Sequence, residues 1–207
     1  MVVNTLHLYP EPIQFGTDGW RGVIGVDITI ERVLPVAAAA GMELAYRSAD
    51  LQSKTVIIGY DRRFLAPELA VAVAAAIRGC GLKPLLTETS VPTPACSWSV
   101  VSRKALGAIV ITASHNPPEW IGLKIKGPDG ASVERDFTEA VEKRLAAGSF
   151  SLPIEAPTEK FDGRKEHLDG LKRKFDIPEL VSGLKNLGLH IIVDPMHGSA
   201  AGCIGEL

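Results

Sequence analysis

The sequence predicts an α/β fold, a mostly buried sheet layered between helices, on three observations. Short apolar runs alternate with helical patterns through most of the chain, the order expected when helices cover a sheet. The run at 54–59 is short and β-branched, as in a buried strand. Ala and Gly are plentiful while aromatics make up only 6%, a composition that suits helices lying close on a sheet.

Taken in order, residues 29–50 read as a helix with an Ala-rich face, which Pro35 should kink or delay. Residues 54–59 form a buried strand. Pro67 opens a helix over 68–78, closed by Gly79 and Gly81. A strand follows at 83–87, a helix at 94–104, and strands at 107–112 and 121–126. An amphipathic helix over 134–147 ends at Gly148. Residues 149–164, rich in Pro, Glu, Asp and Gly, read as a linker, and a charged helix follows over 166–175. Then come a β-run at 189–194 and a Gly- and Ala-containing stretch to Leu207. A strand, a turn and the start of a helix are how an α/β unit begins. The expected organisation is therefore a first unit over 1–150, a linker with a charged helix over 151–188, and the beginning of a second unit over 189–207. Either that last strand joins the first sheet or the chain is a piece of a longer protein.

The 207 residues carry a net charge of −2, with 46% hydrophobic and 22% charged residues. That balance suits a soluble globular protein and gives no basic surface for nucleic acid. No run approaches the ~18 apolar residues of a membrane span. Residues 1–7 lack a basic region followed by an apolar stretch, so no signal peptide is expected and the cytoplasm is the expected compartment. Cys80, Cys96 and Cys203 are odd in number and far apart, as buried reduced thiols would be.

Three stretches carry chemistry. In FGTDGWRG, residues 15–22, glycines at 16, 19 and 22, with another at 25, let backbone N–H groups converge on an anion. Arg21 adds a planar donor fork suited to phosphate. A plain turn-rich loop with a surface Arg has the same pattern. TASHNPP, residues 112–118, follows an apolar strand. Ligands of open α/β sheets gather beyond such strand ends, where Ser114 falls. Pro117 stiffens the loop by biasing Asn116 away from helical angles, although a polar β-turn would read the same way. In WIGLKIK, residues 120–126, the two-residue period puts Ile121, Leu123 and Ile125 on one face and Gly122, Lys124 and Lys126 on the other. The two lysines, about 7 Å apart, either share a positive field near a phosphate or are simply solvated.

Together these stretches resemble the α-D-phosphohexomutase family, in its phosphoglucomutase/phosphomannomutase branch. VIIGYDR at 56–62 and VDPMHG at 193–198 are similar to family segments as well. The resemblance implies that family's first domain, with a mixed, mostly buried sheet between helices. It implies that Ser114 carries a phosphoryl group between a hexose 1-phosphate and a hexose 6-phosphate through glucose 1,6-bisphosphate or its mannose counterpart. Mg²⁺ is the implied cofactor, with the serine phosphate as one ligand. Lys124 matches the family's general acid/base, Arg21 a residue steadying the transferring group, and His115 a neighbour of the sugar hydroxyls. Thr17, Gly19, Asn116 and Lys126 fall where substrate or phosphate would be bound.

The sequence also departs from the family. Members are roughly twice as long, with four domains around one cleft. Their Asp-rich metal loop, sugar loop and phosphate clamp lie in domains beyond the first, and no D-x-D-x-D pattern occurs here. The carboxy-terminal domains are the expected partners, and the chain alone is expected to lack turnover. Ile121 stands where the family often has Asn. Phosphoglucosamine mutase remains an alternative, as does a non-catalytic domain that binds sugar phosphates or pairs with another chain. A serine hydrolase built on Ser114 and His115 is disfavoured, because neighbours on an extended chain point apart and no G-x-S-x-G elbow surrounds the serine.

Overall fold

Buried apolar strands and Ala-rich helices assemble into three layers. The computed structural model describes residues 10–16 and 19–207. Strands β1 (Trp20–Val23), β2 (Thr55–Tyr60), β3 (Lys83–Thr87), β4 (Gly107–Ile111), β5 (Trp120–Lys126) and β6 (Glu159–Phe161) form one sheet in the order β1-β5-β4-β2-β3-β6. β4, β2, β3 and β6 run parallel. β5 runs antiparallel to β4, and β1 antiparallel to β5. The mixed α/β sheet between helices is thus the observed fold.

Helices α1 (Ile30–Arg47), α2 (Ala66–Gly79) and α4 (Arg135–Ala146) share one core with Val56, Ile58, Ile109, Ile111, Ile121, Leu123 and Ile125. α3 (Thr93–Arg103) packs on the opposite face against Ile57, Leu85, Ala108 and Val110. Residues of opposite parity on each strand serve opposite faces, so the continuous apolar runs are explained. Ile121, wholly buried, belongs to the first core.

α1 starts without delay despite Pro35: the Thr29 side chain accepts from the Arg32 N–H at 3.3 Å and caps it. The carboxylate of Glu43, 3% exposed, ties α1 to α4 by accepting from Arg144 at 3.0 Å, and it also accepts from Arg47 one turn along α1 at 2.8 Å.

The stretch expected as a linker contributes β6 beside β3, and α5 (Gly163–Lys174) packs on α3. Gly170 permits that packing, since a Cβ there would lie 2.2 Å from the Trp98 ring. α6 (Ile177–Asn186), which the sequence reading left unassigned, buries none of its residues, and the short α7 (Cys203–Glu206) follows. The β-run expected over 189–194 is not a strand. The edge beside β3 is occupied by β6, and Ile191, Ile192 and Val193 are 64%, 94% and 50% exposed. A strand needs a partner for its backbone groups, and no other strand among the described residues pairs with these. Among the described residues, no helix is long and apolar enough to cross a membrane.

Candidate functional site

The carboxyl ends of β2 and β4 lie side by side, so the residues that follow them share one rim of the sheet. After β4, Thr112 becomes a hub. Its N–H donates to the Gly122 carbonyl at 2.9 Å, its hydroxyl donates to Asp61 Oδ2 at 2.6 Å, and the same hydroxyl accepts from the Ser114 N–H at 2.9 Å. The Asn116 N–H closes the turn on the Ala113 carbonyl at 3.1 Å. Ser114 stands exposed at the corner of this turn with φ 58°. A left-handed backbone costs a serine roughly 1–2 kcal/mol, so its surroundings must hold it there.

That backbone overturns one expectation. Ser114 Oγ and His115 Nδ1 lie 3.4 Å apart. The neighbours do not point to opposite sides, because the left-handed corner breaks the extended alternation. The distance is beyond a normal hydrogen bond to a hydroxyl, so the pair is a loose contact rather than an activated nucleophile and base.

Arg21 reaches the same loop from β1. It sits opposite Gly122, and its Nη1 donates to Asn116 Oδ1 at 2.9 Å. Gly122 makes this crossing possible. A Cβ there would lie 2.2 Å from the Trp20 carbonyl oxygen and 2.9 Å from Arg21 Cγ. Lys124 and Lys126 lie opposite Val110 and Ala108 on the α3 side of the sheet. Lys124 is only 7% exposed, and Lys126 Nζ donates to Ser132 Oγ at 2.9 Å. Plainly solvated lysines do not describe this pair. Gly19 has φ 116°, and a Cβ there would meet the Leu123 carbonyl oxygen at 2.4 Å. Close approach to β5 therefore accounts for this glycine. Thr17 lies outside the described residues.

Sequence reasoning missed Asp61 and Arg63, which follow β2. Asp61 Oδ1 accepts from the Arg63 N–H at 3.0 Å, and Oδ2 lies 3.3 Å from Arg63 Nε as well as accepting from Thr112. The guanidinium of Arg63 donates onward to backbone carbonyls of the serine loop. The available signals were position, two arginines directly beyond a buried parallel strand, and the likeness of VIIGYDR at 56–62 to a family segment, which takes in Asp61 but stops short of Arg63. The other arginine, Arg62, is exposed and faces Ser90 Oγ and the His197 carbonyl, each at 3.4 Å.

Among the described residues, no three His, Cys, Asp or Glu side chains gather as a metal shell. Both Asp61 oxygens are engaged by Thr112 and Arg63. A separate cavity carries three carboxylates, Glu134, Glu139 and Glu142, against one arginine, Arg135, and so has the wrong sign for phosphate.

The family model described as phosphoglucomutase/phosphomannomutase, alpha/beta/alpha domain I, matches residues 12–152. A phosphoglucosamine mutase of Levilactobacillus brevis is 31% identical over 195 residues, covering 93% of this chain and 43% of its own length. The structure of a phosphoglucomutase/phosphomannomutase family protein from Burkholderia thailandensis matches 75% of this chain and 35% of its own, with TM-score 0.62 and 25% identity. That of pp63/parafusin from Paramecium, a phosphoglucomutase in its open form, covers 96% of this chain and 41% of its own, with TM-score 0.81 and 18% identity; this likeness is one of fold. The chain thus spans less than half the length of these relatives.

Proposed function

The chain belongs to the phosphoglucomutase/phosphomannomutase family, and from that premise we propose that it is the phosphoserine-bearing part of a phosphohexomutase. The observation that carries this reading is Ser114, exposed at a left-handed corner beyond β4, with Arg21 anchored to the adjoining Asn116. In the proposed step the Ser114 Oγ–P bond breaks and a bond forms from phosphorus to a sugar hydroxyl oxygen. The hydroxyl proton passes to Lys124, and the departing Ser114 oxygen takes up a proton from water. The resulting bisphosphate turns over and returns its other phosphoryl group to Ser114, whose hydroxyl proton goes back to water while Lys124 gives its proton to the sugar oxygen released. In-line positioning and compensation of charge on the three equatorial oxygens dominate such a transfer.

Arg21 suits that compensation, since its planar fork matches phosphate oxygens. His115 lies beside Ser114 Oγ, where a sugar hydroxyl would approach. Lys126 adds positive field, and Thr17 and Gly19 are proposed to contact phosphate through the glycine-rich loop. Mg²⁺, when bound, supplies the main counter-charge and takes one ligand from phosphorylated Ser114. Turnover is proposed to require further domains beside this one. Glucose 1,6-bisphosphate is the proposed activator.

The hexose is a separate matter. The name of the Levilactobacillus relative favours glucosamine phosphate, while the family model and the Burkholderia structure carry the glucose and mannose names. Coupled assays of the full-length gene product with glucose, mannose and glucosamine 1-phosphates would separate these. Conversion of at least one to its 6-phosphate is expected; conversion of none would overturn the mutase reading.

A further inference from the structure

We infer that Arg63 is the positioning residue of the Ser114 loop, a guanidinium clamp that keeps the serine at its left-handed corner. The two Nη atoms of this side chain make four hydrogen bonds, and its Nε lies within ion-pair reach of Asp61. Nη1 donates to the carbonyls of Pro117 at 2.6 Å and Trp120 at 2.9 Å. Nη2 donates to those of Ser114 at 3.0 Å and Asn116 at 2.6 Å. Nε faces Asp61 Oδ2 at 3.3 Å. One planar group therefore gathers four backbone oxygens spread over residues 114–120, from the serine corner to the start of β5, and fixes them relative to β2.

The arrangement is closed through a second route. Asp61, which orients Arg63, also accepts from the Thr112 hydroxyl, and that hydroxyl receives the Ser114 N–H. Ser114 is thus held on both sides, its N–H through Thr112 and Asp61 and its C=O directly by Arg63. Arg63 and Asp61 are largely enclosed, at 13% and 15% side-chain exposure, so their hydrogen bonds are less open to competition from water than surface pairs. Lysine could not substitute, because three donors radiating from one nitrogen cannot span four carbonyls and a carboxylate.

Three of the carbonyl contacts of Arg63 lie in the loop and the fourth on Trp120, where β5 begins, whereas its neighbour Arg62 turns toward Ser90 and His197. The consequence for phosphoryl transfer rests on the phosphoserine reading above: a nucleophile or leaving oxygen displaced by even an ångström loses in-line geometry. The clamp itself does not depend on that reading, so the two fail separately.

The test uses the ¹⁵N-labelled 207-residue chain, comparing wild type with Arg63→Gln, Arg63→Lys and, as a control of equal charge change, Arg62→Gln. Two quantities are read by NMR: amide exchange at Ser114 and Asn116, and the short intraresidue amide-to-α-proton distance of Ser114 that a positive φ produces. Both Arg63 variants should speed exchange at these two amides about tenfold or more, the scale of losing charged hydrogen bonds. The Ser114 distance should lengthen, while exchange at Ile57 and Ile109 and the Arg62→Gln loop stay as in wild type. An unchanged Ser114 signature in Arg63→Lys, or core amides that speed up as much as the loop, would overturn the assignment. Should Arg63→Gln fail to fold, Arg63→Lys, which keeps the charge beside Asp61, decides the matter alone.

Discussion

The guanidinium of Arg21 donates to the side-chain oxygen of Asn116 at 2.9 Å, joining β1 to the serine loop across the antiparallel edge of the sheet. Residues 95 positions apart are thereby fixed beside Ser114. The contact gives Asn116 a role that its place in a turn-forming Asn-Pro pair would not reveal.

If Arg21 steadies the transferring phosphoryl group, Arg21→Ala should slow loading of Ser114 from glucose 1,6-bisphosphate by about 10²–10³, the range for losing one preorganised donor. Asn116→Ala should slow it less, since Arg21 would remain but lose its anchor. Single-turnover loading of the full-length gene product measures both. Asn116→Ala as severe as Arg21→Ala would mean that the amide itself, rather than the arginine, contacts the phosphate.

Lys124→Ala should lower kcat by ~10²–10⁴, as expected for a lost proton-transfer group. Lys126→Ala should cost far less, because its proposed part is through its field alone and its Nζ is held by Ser132. Steady-state kinetics of the two variants with the accepted hexose phosphate checks the difference. Equal, small effects would remove Lys124 from the proton-transfer role.

Much of this was legible in the sequence. The runs that became β2, β3 and β4 are apolar enough to declare burial, the alternation of WIGLKIK declared β5, and Pro67 and Gly148 marked where helices start and stop. β1 escaped because its WRGV sequence mixes an Arg and a Gly into four residues, which read as part of a glycine-rich loop. β6 has only three residues, too few for periodicity, and forms by adding to an edge already built. At the site, the serine, lysines and Arg21 were visible as residue types in suggestive places. The positive φ of Ser114 was not, because it is imposed by Arg63 and Asp61 from another strand rather than by local propensity.

Gly122→Ala tests whether a missing side chain lets Arg21 cross β5. Its Cβ would lie 2.2 Å from the backbone oxygen of Trp20, which cannot rotate away. Stability should fall by about 1–3 kcal/mol, the usual cost of overpacking, and the denaturant midpoint reports it. A midpoint equal to that of wild type would show that β1 shifts freely.

Burial pushes the Cys96 thiol up to about 12, with a smaller opposing pull from the positive charge of Lys126. The folded thiol therefore keeps its proton where the unfolded one, with its ordinary value of 9.0, has lost it. This contribution to stability is complete below about pH 9 and is lost as pH rises toward about 12. Urea midpoints at about pH 8 and about pH 10.5 should fall more steeply for wild type than for Cys96→Ala. Parallel falls would show that Cys96 ionises as readily in the fold as out of it.

The phosphoryl-carrier role of Ser114 is tested most directly by following the phosphoryl group. Full-length gene product is incubated with glucose 1,6-bisphosphate labelled in its phosphates, then digested, and the modified residue is mapped by mass spectrometry. Label is expected on the peptide containing residues 113–119, at Ser114 alone, and absent from Ser114→Ala. Label that persists in Ser114→Ala, or that maps to another residue in wild type, would contradict the account.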